Sequence, residues 1–284
     1  MPAIELRGAP VARAINEKIA VDVAALAARG VTPCLVSVQV GEDDASRIYR
    51  DQQQKKAAAL GIKYIRCDVR TGSPDALMLT LESLNADSTV HGIILQTPLP
   101  PGYDLNAFQD MISPRKDVDG VTAGNLGAVM CGRPGLYPST AQSAYELILA
   151  SGIKLKGAEA VIIGRSAIVG KPVAMMLVNE RVTITMCHTG TEAAGKLEEH
   201  VRRAEILVVA AGHAGLIPGN WVRPGAVVID VGINYVNDKI VGDIDAQDIA
   251  ERAAYVSPVP GGVGPLTVTM LLRNTVLAAE RLAG

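Results

Sequence analysis

The sequence alternates apolar runs of strand length with amphipathic runs of helix length, and this alternation constrains its fold more than any other feature. In the first half, "PCLVSVQVG" and "IKYIRCDV" are typical of buried strands, and "VARAINEKIAVDVAALAARG" has helical periodicity up to Gly30. Ser73 followed by Pro74 predicts the N-terminus of a further helix. Strands separated by helices favour a parallel sheet, so the predicted fold class is α/β.

The second half has the element order of a Rossmann-type dinucleotide domain. The stretch "GAEAVIIGRSAIVGKPVAMMLVN" predicts a buried strand, a turn containing glycine and a helix, and further strands follow it. Residues 113–140 are dense in Gly and Pro, which predicts a loop that crosses between domains. We therefore predict two domains, a catalytic one at 1–138 plus 268–284 and a Rossmann-type one at 139–267.

Composition narrows the class of protein. The chain has 284 residues and a net charge of −2, so no overall field favours nucleic acid or an anionic membrane. No apolar run approaches the roughly 18–20 residues that span a bilayer, and the N-terminus lacks a signal-peptide pattern. The four cysteines, Cys34, Cys67, Cys131 and Cys187, lack metal-ligand spacing. These features predict a reduced cytoplasmic enzyme without a metal site.

The turn "GRSAIVG" is the candidate cofactor site. Gly164 and Gly170 are six residues apart, and Ser166 stands where a second glycine would be expected. This turn alone is a weak dinucleotide signal, and it also fits an ordinary strand–turn–helix. The next strand ends in "TMCHTGT", which has no acid to bind a ribose 2′-hydroxyl, whereas Arg165 suits a 2′-phosphate. The sequence therefore favours NADP over NAD.

Several motifs occur in one order along the chain: "GEDDASRIYR", "GIILQTPLP", "PRKDVDG", "VIIGRSAIVGKP", "GAVVIDVGIN" and "SPVPGGVGPLT". With them the chain closely resembles the methylenetetrahydrofolate dehydrogenase/methenyltetrahydrofolate cyclohydrolase family (FolD type). The resemblance implies two domains with a folate cleft between them, NADP as cofactor, one-carbon derivatives of tetrahydrofolate as substrates, and a homodimer.

The resemblance also implies the roles of individual residues. Tyr49 would lie against the aminobenzoyl part of the folate, and Asp119 would bond the amino edge of the pterin. The implied catalytic residues are Tyr49, Gln53, Gln96 and Asp119. Leu95, Gln96 and Thr97 would line the floor of the cleft, and Pro260, Gly261, Gly262, Val263 and Gly264 would form the wall where nicotinamide meets folate. Cofactor contacts would come from Gly164, Arg165, Ser166, Ile168, Thr189, Ile233 and Thr267.

Position 53 departs from the family. A gapless match places Gln53 where the family usually has a Lys, the residue credited with proton transfer in the cyclohydrolase step. Hydride transfer from the methylene bridge depends on orientation and needs no protein base. Hydrolysis of the methenyl cation needs proton transfers, and the loss of a general acid/base typically costs about 10²–10⁴-fold. We therefore predict dehydrogenase activity with cyclohydrolase activity lost or strongly reduced.

Two alternatives stay open. Lys56, three residues beyond Gln53, or a chain of waters could replace the missing Lys and leave a bifunctional enzyme. The chain could also be a catalytically silent folate-binding paralogue. Two further departures, Ser139 for the family's Cys and Ala128 for its Arg, indicate a specialised paralogue and leave the substrate preference open.

Overall fold

The computed structural model describes residues 2–41, 44–237 and 239–284; Glu42 and Asp43 of the "GEDD" motif lie outside the described residues. The chain forms two compact units. We call Met1–Arg13 with Thr140–Thr267 the six-strand unit, and Ala14–Ser139 with Val268–Gly284 the three-strand unit. This division differs from the predicted one at the first 13 residues. The reason is that β1 (Ile4–Glu5) pairs with β11 (Tyr255–Val256) of the six-strand unit.

The three-strand unit is built on a short parallel sheet. Strand β2 (Cys34–Val40) lies between β3 (Lys63–Val69) and β4 (Gly92–Leu95) and pairs with both in parallel. Every residue of β2 is buried, as the apolar run predicts. The helices that contribute to this unit are α1 (Gly8–Ala28), α2 (Asp44–Ala59), α3 (Pro74–Ala86), α4 (Leu105–Met111), α5 (Ala123–Met130) and α11 (Gly264–Ala283). Helices α1 and α11 each begin in the six-strand unit.

Local sequence signals fix several of these helix ends. Ser73 caps α3 as predicted, because its side chain accepts a 3.3 Å hydrogen bond from Ala76 N. Helix α2 ends at Ala59, and Gly61 follows with a φ of +74°, a conformation that favours glycine.

The prediction of an irregular loop over 113–140 is wrong in part, since helix α5 lies within it. Thr122 caps α5, and its side chain accepts a 3.3 Å hydrogen bond from Asn125 N. Two glycines, Gly124 and Gly127, lie inside the helix, and glycine has low helix propensity. Because of these glycines, the sequence pattern did not predict the helix.

The six-strand unit has a parallel sheet of Rossmann type, as predicted. Its strand order is β1-β11-β8-β7-β5-β6, and every adjacent pair is parallel. The order reverses at β5, which pairs with β6 on one side and β7 on the other, and such a switch point is where open α/β sheets bind ligands. The four strands around it are β5 (Glu159–Ile163), β6 (Thr183–Cys187), β7 (Ile206–Val209) and β8 (Val227–Asp230).

Helices and a hairpin complete the six-strand unit. The helices are α6 (Ser139–Ala150), α7 (Gly170–Asn179), α8 (Thr189–Ala193), α9 (Leu197–Arg203) and α10 (Ala246–Ile249), with a 3-10 turn at Gly219–Trp221. Strands β9 (Asn234–Val236) and β10 (Lys239–Val241) pair antiparallel as a separate hairpin. Across the described ranges, the helices all lack the combination of length and apolar character needed to cross a membrane.

Candidate functional site

Gln53 lies at the centre of a buried polar cluster in the three-strand unit. Helix α2 places its side chain inward, with no exposed surface. Its Oε1 accepts hydrogen bonds from the Tyr64 hydroxyl on β3 at 2.7 Å and from Gln96 Nε2 just beyond β4 at 3.3 Å. Its Nε2 is buried and finds no hydrogen-bond partner among the described residues. The carboxamide is thus held by its oxygen alone.

A second buried side chain, Arg50, lies one helical turn before Gln53. Its Nε donates to Ser37 Oγ at 3.2 Å, and its Nη1 donates to Gln39 Oε1 at 2.7 Å. An ion pair of 2.6 Å joins the same Nη1 to Asp68, whose side chain is mostly exposed. The guanidinium is therefore buried at one end of the cluster and neutralised from the solvent side.

Ser37 links Arg50 to the residues around Gln53. Its hydroxyl oxygen accepts from Arg50 Nε and also from Gln96 Nε2, the latter at 3.0 Å. Burial raises the pKa of Tyr64, and hydrogen bonding with the side chains of Ser37 and Arg50 opposes that rise. The cluster is continuous from the guanidinium to the Gln53 carboxamide.

Sequence reasoning missed Ser37, Arg50 and Tyr64. A signal was present in β2, where Ser37 and Gln39 interrupt an apolar strand two positions apart. Residues two apart in a strand point to the same face. Two buried polar side chains on one face therefore predict a polar partner on the element that covers it, which is α2.

Tyr49 lies close to both Gln53 and Asp119. Burial raises the pKa of Tyr49, the negative charge of Asp119 raises it further, and the neighbouring Gln53 side chain opposes the rise. The structure thus brings together Tyr49, Gln53, Gln96 and Asp119, the four residues predicted to be catalytic. Of the residues beside Gln96, Leu95 is buried and Thr97 is exposed.

The two acids of "KDVDG" have different environments. Asp117 is fully buried and accepts hydrogen bonds from the backbone N of Gly120 at 2.9 Å and of Thr122 at 2.8 Å, so it shapes the loop. Asp119 is half-buried, and that burial together with the charge of Asp117 raises its pKa to about 7, against a hydrogen bond from Ser139. Asp119 therefore titrates near neutral pH and changes there from a donor to an acceptor.

The residues predicted to form the nicotinamide wall lie in the six-strand unit, where 260–263 belong to the loop between β11 and α11 and Gly264 begins α11. Gly262 N donates a 2.7 Å hydrogen bond to Pro258 O. A Cβ on Gly262 would lie 2.7 Å from that oxygen, so the loop needs glycine there. A Cβ on Gly264 would meet nothing within 4 Å, and the space above it is open.

The candidate cofactor turn follows β5 at the switch point. Gly164 has a φ of +114°, and a Cβ there would lie 2.1 Å from Ala210 O. A Cβ on Gly170 would lie 2.1 Å from Gly164 O. Ser166 Oγ accepts from the backbone N of Val169 at 3.1 Å and of Gly170 at 3.3 Å, which closes the turn. The turn is thus a tight cradle in which side chains larger than hydrogen do not fit at two positions.

The other residues predicted to contact the cofactor are at least partly exposed. Arg165, Ser166 and Ile168 are exposed on the turn, Thr189 is exposed at the start of α8, Ile233 is exposed after β8, and Thr267 is half-buried on α11. His188, not an acid, follows β6, and its Nδ1 accepts a 3.1 Å hydrogen bond from Gly190 N. A glycine cradle with an exposed guanidinium and no acid after β6 fits a dinucleotide that carries an extra phosphate.

Proteins of known structure and sequence are similar to this chain over nearly its whole length. A protein of Pelobacter propionicus named bifunctional protein FolD is 44% identical over 276 residues, which cover 96% of each chain. A crystal structure of the bifunctional enzyme FolD from Campylobacter jejuni has a TM-score of 0.94 at 36% identity and covers 98% of this chain and 99% of that one. The Trypanosoma brucei enzyme, described as complexed with NADP cofactor and inhibitor, has a TM-score of 0.93 at 37% identity. The match covers 99% of this chain and 98% of that one.

Two family descriptions match the two parts of the chain. Residues 6–119 match the catalytic domain of tetrahydrofolate dehydrogenase/cyclohydrolase, and residues 138–283 match its NAD(P)-binding domain. The resemblance seen in the sequence motifs is thereby confirmed. The chain belongs to the tetrahydrofolate dehydrogenase/cyclohydrolase family.

Proposed function

We propose that the protein is an NADP-dependent 5,10-methylenetetrahydrofolate dehydrogenase with little cyclohydrolase activity. The observation that carries this proposal is the buried, neutral carboxamide of Gln53 among groups suited to orient a folate. When bound, NADP supplies the nicotinamide carbon that accepts a hydride from the methylene bridge. The Trypanosoma brucei relative is described with NADP bound, and the exposed Arg165 supports the same cofactor here.

The chain's own residues bind and orient the folate in this proposal. Tyr49 presents an aromatic face to the aminobenzoyl ring, and the Asp119 carboxylate accepts from paired N–H donors of the pterin. The glycines of Pro260–Gly264 allow two flat reactants to approach closely. Because the methenyl product is a cation stabilised by its own nitrogens, hydride transfer needs alignment rather than a protein base.

Hydrolysis makes a different demand on position 53. Water must be activated at the methenyl carbon, and a ring nitrogen must receive a proton. A carboxamide neither gives up nor takes a proton at neutral pH. We therefore expect the hydrolytic step to run about 10²–10⁴-fold below that of a lysine-bearing enzyme.

The second candidate function is a bifunctional dehydrogenase/cyclohydrolase, and the names of the relatives favour it. The Pelobacter propionicus and Campylobacter jejuni proteins are both named bifunctional. Lys56 would then take the role of the lysine that the family usually has at position 53. Burial lowers its pKa, which favours the neutral amine that a general base needs.

One pair of assays separates these functions. Purified protein is supplied with 5,10-methylenetetrahydrofolate and NADP, and NADPH formation is followed by absorbance; in parallel, supplied 5,10-methenyltetrahydrofolate is followed for hydrolysis. The proposal expects NADPH formation with hydrolysis close to the spontaneous rate. Rapid hydrolysis would favour the bifunctional enzyme, and Lys56→Met would then abolish it. Absence of NADPH formation would favour a silent folate-binding paralogue.

A homodimer is part of the proposal and is supported by exposed apolar side chains. Tyr235 is 77% exposed, and Val236 and Ile240 of the β9–β10 hairpin are also exposed. A second copy of the chain would cover such a surface. Sedimentation equilibrium should give twice the chain mass, and Tyr235→Glu should weaken the association.

A further inference from the structure

Arg50 is buried beside Gln53, and the proposed reaction does not use it. The residue is only 4% exposed, although burying a charge is costly unless the charge is paired. Among the described residues its one charged partner is Asp68, which reaches it from the exposed surface, and its other bonds go to neutral groups, among them oxygens of Ser37 and Gln39. The guanidinium supplies the donors for buried oxygens of Ser37 and Gln39, so its role goes beyond filling space.

The guanidinium fixes the direction of the hydrogen bonds that it makes. Arginine has donors and no acceptor, so Ser37 Oγ must accept from Arg50 Nε. The second lone pair of Ser37 accepts from Gln96 Nε2 at 3.0 Å. The amide nitrogen of Gln96 also donates at 3.3 Å to Gln53 Oε1. The chain of bonds therefore runs from Arg50 through Ser37 and Gln96 to the oxygen of Gln53.

The orientation of the Gln53 carboxamide follows from this chain. Its oxygen faces two donors, Gln96 Nε2 and the Tyr64 hydroxyl, so its nitrogen must face away from both. That nitrogen is buried and has no hydrogen-bond partner among the described residues. Tyr49, predicted to contact the folate, is a neighbour of the Gln53 side chain. An unpaired buried donor at this place awaits an acceptor.

We propose that Arg50 is a positioning residue, which acts through Ser37 and Gln96 to aim Gln53 Nε2 at an acceptor atom of the pterin ring. The acceptor would be a carbonyl oxygen or an unprotonated ring nitrogen of a reduced folate. The proposal rests on the proposed function, because it takes a reduced folate as the ligand. It gives position 53 a task in substrate binding that needs a donor and no proton transfer.

A double-mutant cycle tests this proposal. Arg50→Met and Gln53→Met are each expected to raise the KM for 5,10-methylenetetrahydrofolate about tenfold, with the KM for NADP unchanged. The double variant is expected to equal Gln53→Met alone, because Arg50 acts only through Gln53. The calorimetric Kd for tetrahydrofolate, measured without NADP, should change in parallel. Additive effects of the two substitutions would overturn the proposal.

Three further variants serve as controls for the double-mutant cycle. Arg66→Met removes a guanidinium that pairs with Asp51 between the same strand and helix, but at the surface, and should leave the folate KM unchanged. Arg50→Lys keeps a donor for Ser37 and should recover part of the lost affinity. If Arg50→Met fails to fold, Ser37→Ala breaks the same chain and should reproduce the KM effect. Ser37→Ala without any effect would overturn the proposal.

The proposed function and this inference fail in distinguishable ways. If the unaltered protein binds no tetrahydrofolate and forms no NADPH, the proposed function is wrong, and the role of Arg50 is wrong with it. If the unaltered protein binds tetrahydrofolate and the cycle is additive, only the role of Arg50 is wrong.

Discussion

Tyr64 donates a 2.7 Å hydrogen bond to Oε1 of Gln53, which joins the middle of helix α2 to strand β3 inside the three-strand unit. A lysine at position 53 has no acceptor, so it would have to reverse this contact and donate to the Tyr64 oxygen. The local hydrogen bonds are thus arranged for a carboxamide. The contact differs in direction from the one that a lysine at this position would make.

Asp119→Asn is expected to remove a pH dependence of folate binding. Burial and the charge of Asp117 raise the pKa of Asp119 to about 7. Only the carboxylate accepts two N–H donors, so the KM for the folate should fall as the pH rises from 6 to 8. Asp119→Asn should give a higher KM that is flat over this range. Asp22→Asn, an exposed change on α1, serves as the control and should keep the slope.

The same carboxyl group predicts a pH effect on stability. The folded-state pKa of Asp119 lies above the ordinary value of 3.8. Its contribution to the free energy of unfolding is therefore fully present below about pH 4 and is lost as the pH rises to about 7. Asp119→Asn should therefore be more stable relative to the unaltered protein at pH 8 than at pH 4, as measured by urea unfolding. An equal difference at both values would contradict a buried, protonated Asp119.

The secondary structure followed from local patterns where one signal dominated. The buried run of β2 and the capping of α3 by Ser73 are examples, because apolar length and a cap residue decide them locally. Helix α5 was missed because its stability comes from tertiary contacts. Asn125 within it donates at 2.9 Å to buried Asp117 and accepts from Leu136 N at 3.3 Å.

The side chains that surround Gln53 were harder to predict than the place of Gln53 in the family pattern. In "SRIYRDQQQ", Arg50 reads as a solvent-facing residue of a polar helix, because arginine is rarely buried. Its burial depends on Ser37 and Gln39, which the chain brings to it from a neighbouring strand. A family pattern locates position 53, but it gives no information on a cluster formed by residues of this particular sequence.

Two glycine variants test the wall proposed to lie beside the nicotinamide. Gly262→Ala should destabilise the protein by about 1–3 kcal/mol, because its Cβ would lie 2.7 Å from Pro258 O and 2.9 Å from Ser257 Cβ. Gly264→Ala meets nothing within 4 Å and should leave the melting temperature equal or slightly higher. If the reactants meet at this wall, Gly264→Ala should nevertheless lower kcat. An unchanged kcat for a folded Gly264→Ala would place the reactants elsewhere.

Arg165→Gln tests the choice of NADP over NAD. Arg165 is exposed on the turn after β5, where its guanidinium can pair with a 2′-phosphate. Loss of a charge-assisted hydrogen bond should raise the KM for NADP by about 10- to 100-fold. NAD is the internal control, since it lacks the phosphate, and its KM should not change. An equal rise for both nucleotides would show that Arg165 contacts a part they share.

The most direct measurement compares the two activities in the unaltered protein and in Gln53→Lys. With Gln53, we expect NADPH formation from 5,10-methylenetetrahydrofolate and hydrolysis of 5,10-methenyltetrahydrofolate near its spontaneous rate. With lysine, hydrolysis should rise by about 10²-fold or more while NADPH formation is kept, because a proton carrier is restored. Rapid hydrolysis by the unaltered protein, with no gain in Gln53→Lys, would contradict the central claim that the carboxamide at position 53 separates the two steps.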